Sequence, residues 1–167
     1  VTSITAYRKL KNFVDQDVDF TSADIVNEIR DQRVSTFTQE FRLASDFDGP
    51  LNFLLGGFYF NEKVDQDSEL NLGAAARPFF TLLGRFATGN PAFTFNSIET
   101  PTALGVPQNS IFSAGPLTNE VYSLDNKSWS IFGTVDLEPV DGLVFTAGFN
   151  YTDDKKKYAL TGQTFDE

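Results

Sequence analysis

The sequence predicts an all-β protein: an antiparallel up-and-down sheet of about five long strands that forms part of a transmembrane β-barrel and carries one long extracellular loop. Three observations lead there. Four stretches, 37–45, 51–59, 129–137 and 143–151, repeat with period two, the period of a strand and not of a helix. One face of all four carries no charge, whereas the other is largely polar. Each stretch also places an aromatic residue eight positions from a turn. Eight residues at ~3.3 Å each, tilted by ~40°, rise ~20 Å, close to the ~25 Å apolar band of an outer-membrane barrel.

The first strand is expected at about 2–13. Ile4, Ala6 and Leu10 share one parity and Thr5 and Tyr7 the other, so its pattern leaves open which side meets lipid. A connection of about twenty residues follows, near 13–32. Asp15, Asp17 and Asp19 alternate there like ligands of a calcium loop, but the sixth and twelfth places hold Phe20 and Val26 where Gly and a carboxylate are needed. Carboxylates on a strand projecting above the membrane are the better account, and Asp65 and Asp67 read the same way.

The second strand, about 33–46, turns Phe37, Gln39, Phe41, Leu43 and Ser45 outward and Thr36, Thr38, Glu40, Arg42 and Ala44 inward. Asp46, Phe47, Asp48, Gly49 and Pro50 supply a tight turn. The third strand, about 51–64, turns Leu51, Phe53, Leu55, Gly57 and Tyr59 outward, with Asn52, Leu54, Phe58 and Phe60 on the other face.

A long loop spans about 65–122. Within it Pro78 opens a stretch with Phe79, Leu82, Leu83 and Phe86 at helical spacing before Gly89, which suits a short helix at 78–88. The stripe either packs against the loop itself, or Phe79, Phe80, Phe86, Phe93 and Phe95 form an aromatic mouth that meets a small-molecule or glycan ligand. Loops of this length are functional or disordered far more often than idle.

The fourth strand, about 123–138, shows Trp129, Ile131, Gly133, Val135 and Leu137 outward and Ser128, Ser130, Phe132, Thr134 and Asp136 inward. After the turn at 138–142 the fifth, about 143–158, shows Leu143, Phe145, Ala147, Phe149 and Tyr151 outward and Val144, Thr146, Asn150 and Thr152 inward. Phe37, Tyr59, Trp129 and Tyr151 then form one aromatic girdle, because such rings favour the boundary between hydrocarbon and water. Short turns at one end and long connections at the other match the asymmetry of outer-membrane barrels.

Glu40 and Arg42 stand two apart on the inward face. They make either an ordinary lumen charge ladder or a contact to a ligand or plug, together with Asp136 and Asn150. A soluble β-sandwich, such as a carbohydrate-binding module, would also have one apolar face and remains an alternative; it would be monomeric without detergent. A passive porin is a third reading.

Composition removes several chemistries. The 167 residues include no Cys and no His, which excludes thiol or imidazole catalysis and zinc-finger sites within the segment. No catalytic residue, metal ligand or cofactor is expected. A net charge of −10 argues against nucleic acid, whose phosphates need clustered bases. The basic runs 8–11 and 155–157 read as solvated strand ends, which outside a bacterial outer membrane also face lipopolysaccharide. No stretch reaches the ~20 apolar residues of a membrane helix, so a barrel is the route by which this chain spans a bilayer. Membrane lipid is therefore an expected partner. Val1 follows no signal peptide within the chain, and the sequence reads as an internal segment of an exported protein.

Five blocks carry a resemblance: Ser3-Ile4-Thr5-Ala6-Tyr7-Arg8, 37–45 as Phe-Thr-Gln-Glu-Phe-Arg-Leu-Ala-Ser, 55–62 as Leu-Gly-Gly-Phe-Tyr-Phe-Asn-Glu, Ser130-Ile131-Phe132-Gly133, and 143–155. In this order they resemble the middle of the barrel of TonB-dependent outer-membrane receptors. The resemblance covers all five strands and leaves out the long loop. It implies a segment of a 22-stranded barrel in the bacterial outer membrane, closed around a plug domain, that imports siderophores, cobalamin, glycans or similar scarce solutes with energy relayed by TonB. The chain shows no plug and no TonB box, and ends at Thr164-Phe165-Asp166-Glu167 in place of a terminal aromatic strand, so plug and TonB contacts would run through regions absent from it. Folded alone, the piece is expected as a curved antiparallel sheet with two unpaired edges and an exposed apolar face.

Overall fold

A computed structural model describes residues 1–164 of the chain; the expectation placed on 165–167 lies outside them. Five strands form one sheet: β1 (Thr2–Asp17), β2 (Val26–Ala44), β3 (Leu51–Leu72), β4 (Gly115–Val140) and β5 (Leu143–Thr164). Their order in the sheet is their order in the chain, an antiparallel up-and-down meander with β1 and β5 at its edges. Among the described residues there is no second sheet, so the β-sandwich alternative is not formed. Phe41, Leu55, Val135 and Phe145, which would fill a sandwich core, are 57%, 43%, 41% and 57% exposed.

The strands outrun the apolar pattern. The connection expected near 13–32 is a loop at 18–25, and the long loop expected at 65–122 occupies 73–114. Beyond the aromatic row the strands are held by polar pairs: Gln16 donates to Glu28 at 2.9 Å, Asn27 to Asp15 at 3.4 Å, Gln32 to Gln66 at 3.1 Å and Ser68 to Glu28 at 3.0 Å. Where both faces are polar, hydrophobic periodicity vanishes although the ladder continues.

The chain divides into two compact units. One comprises 1–11, 33–65 and 123–159 and holds all four period-two stretches. Its turns are tied locally. Asn52 Oδ1 accepts the Phe47 N–H at 2.8 Å and the Ser45 hydroxyl at 2.9 Å. Glu138 accepts the N–H of Gly142 at 2.8 Å, and Gly142 has φ 81°, a left-handed turn conformation that glycine adopts freely.

The other unit comprises 12–32, 66–122 and the chain from 160. Its small core is Ile25, Leu72 and Ala76, packed with Val26, Ala75, Phe80, Phe112 and Leu117. Helix α1 runs Ala76–Thr88 and ends at Gly89 with φ 65°, the left-handed stop that a C-terminal glycine supplies. Asp19 builds the β1–β2 connection: its carboxylate accepts the Thr21 hydroxyl at 2.6 Å and N–H groups of Thr21 and Val26 at 2.9 and 2.8 Å. Those donors, the Thr21 hydroxyl foremost, hold the Asp19 carboxyl down at about 2. Here Asp19 is a turn organiser instead of a strand carboxylate, since an Asp side chain can cap its own turn.

Candidate functional site

Three surfaces bear on function: the apolar face of the first unit, its polar face, and the loop cluster of the second unit.

On the apolar face, Phe37 and Tyr59 lie 6.2 Å apart between ring centroids, and Trp129 and Tyr151 lie 5.6 Å apart. The girdle residues thus meet as two cross-strand pairs, one in the β2–β3 hairpin and one in β4–β5. Below them Ile131, Leu137, Phe145 and Phe149 are between 43% and 57% exposed, uncovered by any described part of the chain. Gly133 makes this face continuous: a Cβ there would stand 2.8 Å from Leu55 and 2.9 Å from Phe149, so its bare Cα is what lets both side chains close over β4.

The structure also orients β1. The Thr5 hydroxyl donates to Gln39 Oε1 at 2.5 Å, and Gln39 Nε2 donates to Ser3 Oγ at 3.0 Å. Odd residues of β1 therefore share the face of Gln39 and Phe37, which places Tyr7 on the same face as the aromatic row. Sequence reasoning left this face open because Ile4 and Leu10, on the opposite parity, blur the alternation; the signal was Tyr7 itself, a ring followed by Arg8, Lys9 and Lys11.

On the polar face, Arg42 Nε donates to Glu40 within the same strand. Thr146 donates its hydroxyl to Asp136 at 2.6 Å, and Thr36 donates to Glu62 at 3.1 Å. Asn150 has the same parity as Thr146 in β5. Phe132 lies over Gly56, where a Cβ would come 2.2 Å from the ring. Glu40, Arg42, Asp136 and Asn150 thus belong to one polar face, but only Glu40 and Arg42 touch each other.

In the loop unit Phe80, Phe93 and Phe95 join one ring cluster, Phe79 borders it, and Phe86 stands apart. Phe80 stacks on Phe112 at 4.1 Å, Phe112 meets Phe95 at 5.2 Å, and Phe95 meets Phe93 at 5.4 Å. Phe93 also rests where a Cβ on Gly84 would be. These rings form the interior of the loop. Phe112, not anticipated, is the hub and holds φ 55°, an uncommon conformation for a bulky residue. By contrast Phe79, Leu82, Leu83 and Phe86 are 39%, 49%, 46% and 77% exposed. Phe79 meets Phe80 at 5.4 Å, so the stripe of α1 touches the loop cluster at its first turn, while Leu82, Leu83 and Phe86 stand about half exposed or more. Phe86 and Leu82 line an open cleft of about 390 Å³ with Arg85, Gly89 and Pro91.

A buried ion pair clamps this loop. Arg77 donates to both oxygens of Glu99 at 2.8 and 2.7 Å, and also to Asn96 Oδ1 and the Ile111 carbonyl. Glu99, 1% exposed, further accepts the N–H groups of Asn109 and Ile111 at 2.7 Å each. The Arg77 guanidinium, followed by those amides, outweighs burial and lowers the Glu99 carboxyl to about 2. Between Glu69 and Glu120 the sequence has one acid, Glu99, and two bases, Arg77 and Arg85; that isolation was the available signal for the pair.

Among the described residues no helix is long and apolar enough to cross a membrane, which says nothing of strands. No protein-family model matches the chain, and no curated protein matches it significantly. Among solved structures it is similar to the ferric yersiniabactin uptake receptor FyuA from Yersinia pestis, with a TM-score of 0.61 at 13% identity. That likeness covers 98% of this chain and 19% of the receptor, so the chain spans about a fifth of that protein's length, and what the likeness shows is the fold alone, a run of strands like those of a β-barrel.

Proposed function

We propose that the chain is a wall-and-loop segment of a TonB-dependent outer-membrane receptor that imports a scarce solute such as a siderophore or a glycan, with no covalent chemistry of its own. The observation that carries this reading is the uncovered apolar face bounded by an aromatic girdle: hydrocarbon, and not a second protein layer, is the solvent that makes Phe41, Ile131, Phe145 and Phe149 stable where they stand. The similarity to a ferric siderophore uptake receptor supports the same reading at the level of fold.

In this reading Glu40, Arg42, Asp136 and Asn150 face the barrel lumen, where they meet ligand or plug, while plug and TonB act through parts of the protein outside the chain. The exposed stripe of α1, with Arg85 at its end, is the ligand-facing part of the loop. Phe80, Phe93 and Phe95 shape that loop from within and are its scaffold.

The test is iron uptake from ferric siderophores by a receptor-deficient Gram-negative host expressing the full-length protein. Phe79→Ala with Phe86→Ala should lower uptake at least about tenfold with unchanged amounts of heat-modifiable barrel in the outer membrane. Uptake equal to wild type would remove the helix from the ligand path; failure of the protein to reach the membrane fraction would remove the receptor assignment itself.

A further inference from the structure

Three phenylalanines interrupt the polar face of the first unit. Phe58 and Phe60 take even positions of β3, and Phe132 lies over Gly56, where a Cβ would come 2.2 Å from its ring. With Leu54 they put one apolar group in each of four successive rows along β3. Two residues at ~3.3 Å on a strand tilted by ~40° separate neighbouring rows by ~5 Å of rise, so the line climbs along the strand and not around the barrel. All four residues are partly buried. Among the described residues the ring pairs of this unit are Phe37 with Tyr59, Phe47 with Phe53 and Trp129 with Tyr151, so Phe58, Phe60 and Phe132 stack on no other ring.

Contacts fix what stands beside each ring. The Ser45 N–H donates to the Phe53 carbonyl at 2.9 Å and the Thr36 hydroxyl to Glu62 at 3.1 Å, a register that sets Glu40 opposite Phe58 and Thr38 opposite Phe60. Phe132 opposite Gly56 sets Ser130 beside Phe58 and Ser128 beside Phe60. Thr146 donates to Asp136 at 2.6 Å, which sets Asn150 beside Phe132 on β5. Each ring therefore stands alone in its row between hydroxyl, amide or carboxylate groups. A second protein layer is best met by apolar groups spread sideways over several strands; here they run in single file with polar groups on both flanks.

We propose that Phe132, Phe58 and Phe60 form a transit ladder on the lumen wall that stacks the flat rings of the passing solute. The protein then selects solutes whose rings have apolar faces and a hydroxylated rim, a catechol or a sugar ring, over ring-free chains. The inference rests on the importer reading above and adds to it the ring chemistry of the solute and a site on the strands themselves. An aromatic face is negative and an aromatic edge positive, so a flat ring is held by offset or edge contacts that leave its rim open. The flanking Ser, Thr, Asn and Glu groups meet that rim, as the few polar groups of an apolar site fix orientation. Several weak sites in succession let a solute enter one and leave for the next, which passage requires.

The full-length protein is expressed in the receptor-deficient host, and uptake is measured for a ferric tris-catecholate, the ferric complex of a ring-free linear trihydroxamate, and a radiolabelled neutral glucose hexasaccharide. Wild type should import the catecholate or the hexasaccharide at least about tenfold faster than the trihydroxamate, and which of the two is carried separates the catechol source from the sugar source. Phe58→Leu with Phe60→Leu keeps the apolar volume and removes the flat faces. It should lower the maximal rate for that probe at least about fivefold with the half-saturating concentration unchanged, whereas Phe58→Tyr with Phe60→Tyr should keep the wild-type rate. Heat-modifiability on gels reports barrel formation for each variant. A leucine variant that imports as fast as wild type overturns the ladder and marks the rings as apolar packing against a plug. Equal rates for ring-bearing and ring-free probes overturn it too, as does the absence of uptake for both ring-bearing probes. Import of the trihydroxamate alone overturns this inference and leaves the importer reading standing; a wild-type protein absent from the outer membrane overturns both.

Discussion

Glu99 is the residue whose removal the loop tolerates least. It is almost wholly buried and takes four donors from Arg77, Asn109 and Ile111, so Glu99→Ala leaves the guanidinium without its carboxylate and two amides without acceptors. Breaking one side of a buried pair costs about 3 to 5 kcal/mol. Hydrogen exchange should show the Asn109 and Ile111 amides losing protection in this variant while amides of the β2–β3 hairpin keep theirs. Acid acts on the same group. Its carboxyl titrates at about 2 in the folded loop against an ordinary 4.5, a depressed value, so the stabilisation is complete above about 4.5 and is lost as pH falls through about 2. Exchange at Ile111 followed down a pH series should reveal that window, and Glu99→Gln should remove the dependence. A loop whose protection stayed constant from pH 6 to pH 2 would show that the pair is not what holds it.

At the scale of the strand, parity is the testable property. Val135 faces the apolar side of β4 and Thr134 the polar side. Lysine at 135 should destabilise the protein by about 2 to 4 kcal/mol, because charge near the bilayer middle on the lipid face is penalised by that amount; lysine at 134 should be nearly silent. Reversible urea unfolding from lipid vesicles measures both, and equal effects would refute the assignment of faces. Parity was also what could be read beforehand. These strands were legible from Phe37, Tyr59, Trp129 and Tyr151 because one face is apolar throughout, which imposes a period of two. The extensions through Gln16, Glu28, Gln32 and Ser68 were not, because water on both faces imposes no period and the strands there are fixed by cross-strand polar bonds that only the register reveals. The helix was legible from Pro78 and Gly89, whereas the partner of its Phe80 was not, because Phe112 comes to stack on it from more than thirty residues along the chain. Among the candidate site residues, the shared face of Glu40 and Arg42 followed from their spacing while their ion pair was not foreseen, and the Arg77 and Glu99 clamp joins residues far apart along the chain.

At the scale of the whole molecule, the sheet has two open edges, β1 and β5, and one uncovered apolar face. Exposed strand edges template further pairing. Produced alone, residues 1–164 should therefore sediment as oligomers in water and disperse in detergent, a comparison that analytical ultracentrifugation makes directly. A stable monomer without detergent would contradict the role given to hydrocarbon.

The glycines at 56 and 133 have a consequence for how such a wall assembles. Each hairpin, β2–β3 and β4–β5, closes through neighbours in sequence and arrives with its own pair of rings. The junction between β3 and β4 cannot form that way, since the whole clamped loop separates its two sides, and distant pairings are the slow ones. It is at this late junction that Phe132 drops into the gap at Gly56 on one surface and Leu55 into the gap at Gly133 on the other. Two notches cut from opposite sides admit a single alignment, so a zipper joined a step out of place would leave both rings and branches without room, and the hairpins would separate and try again.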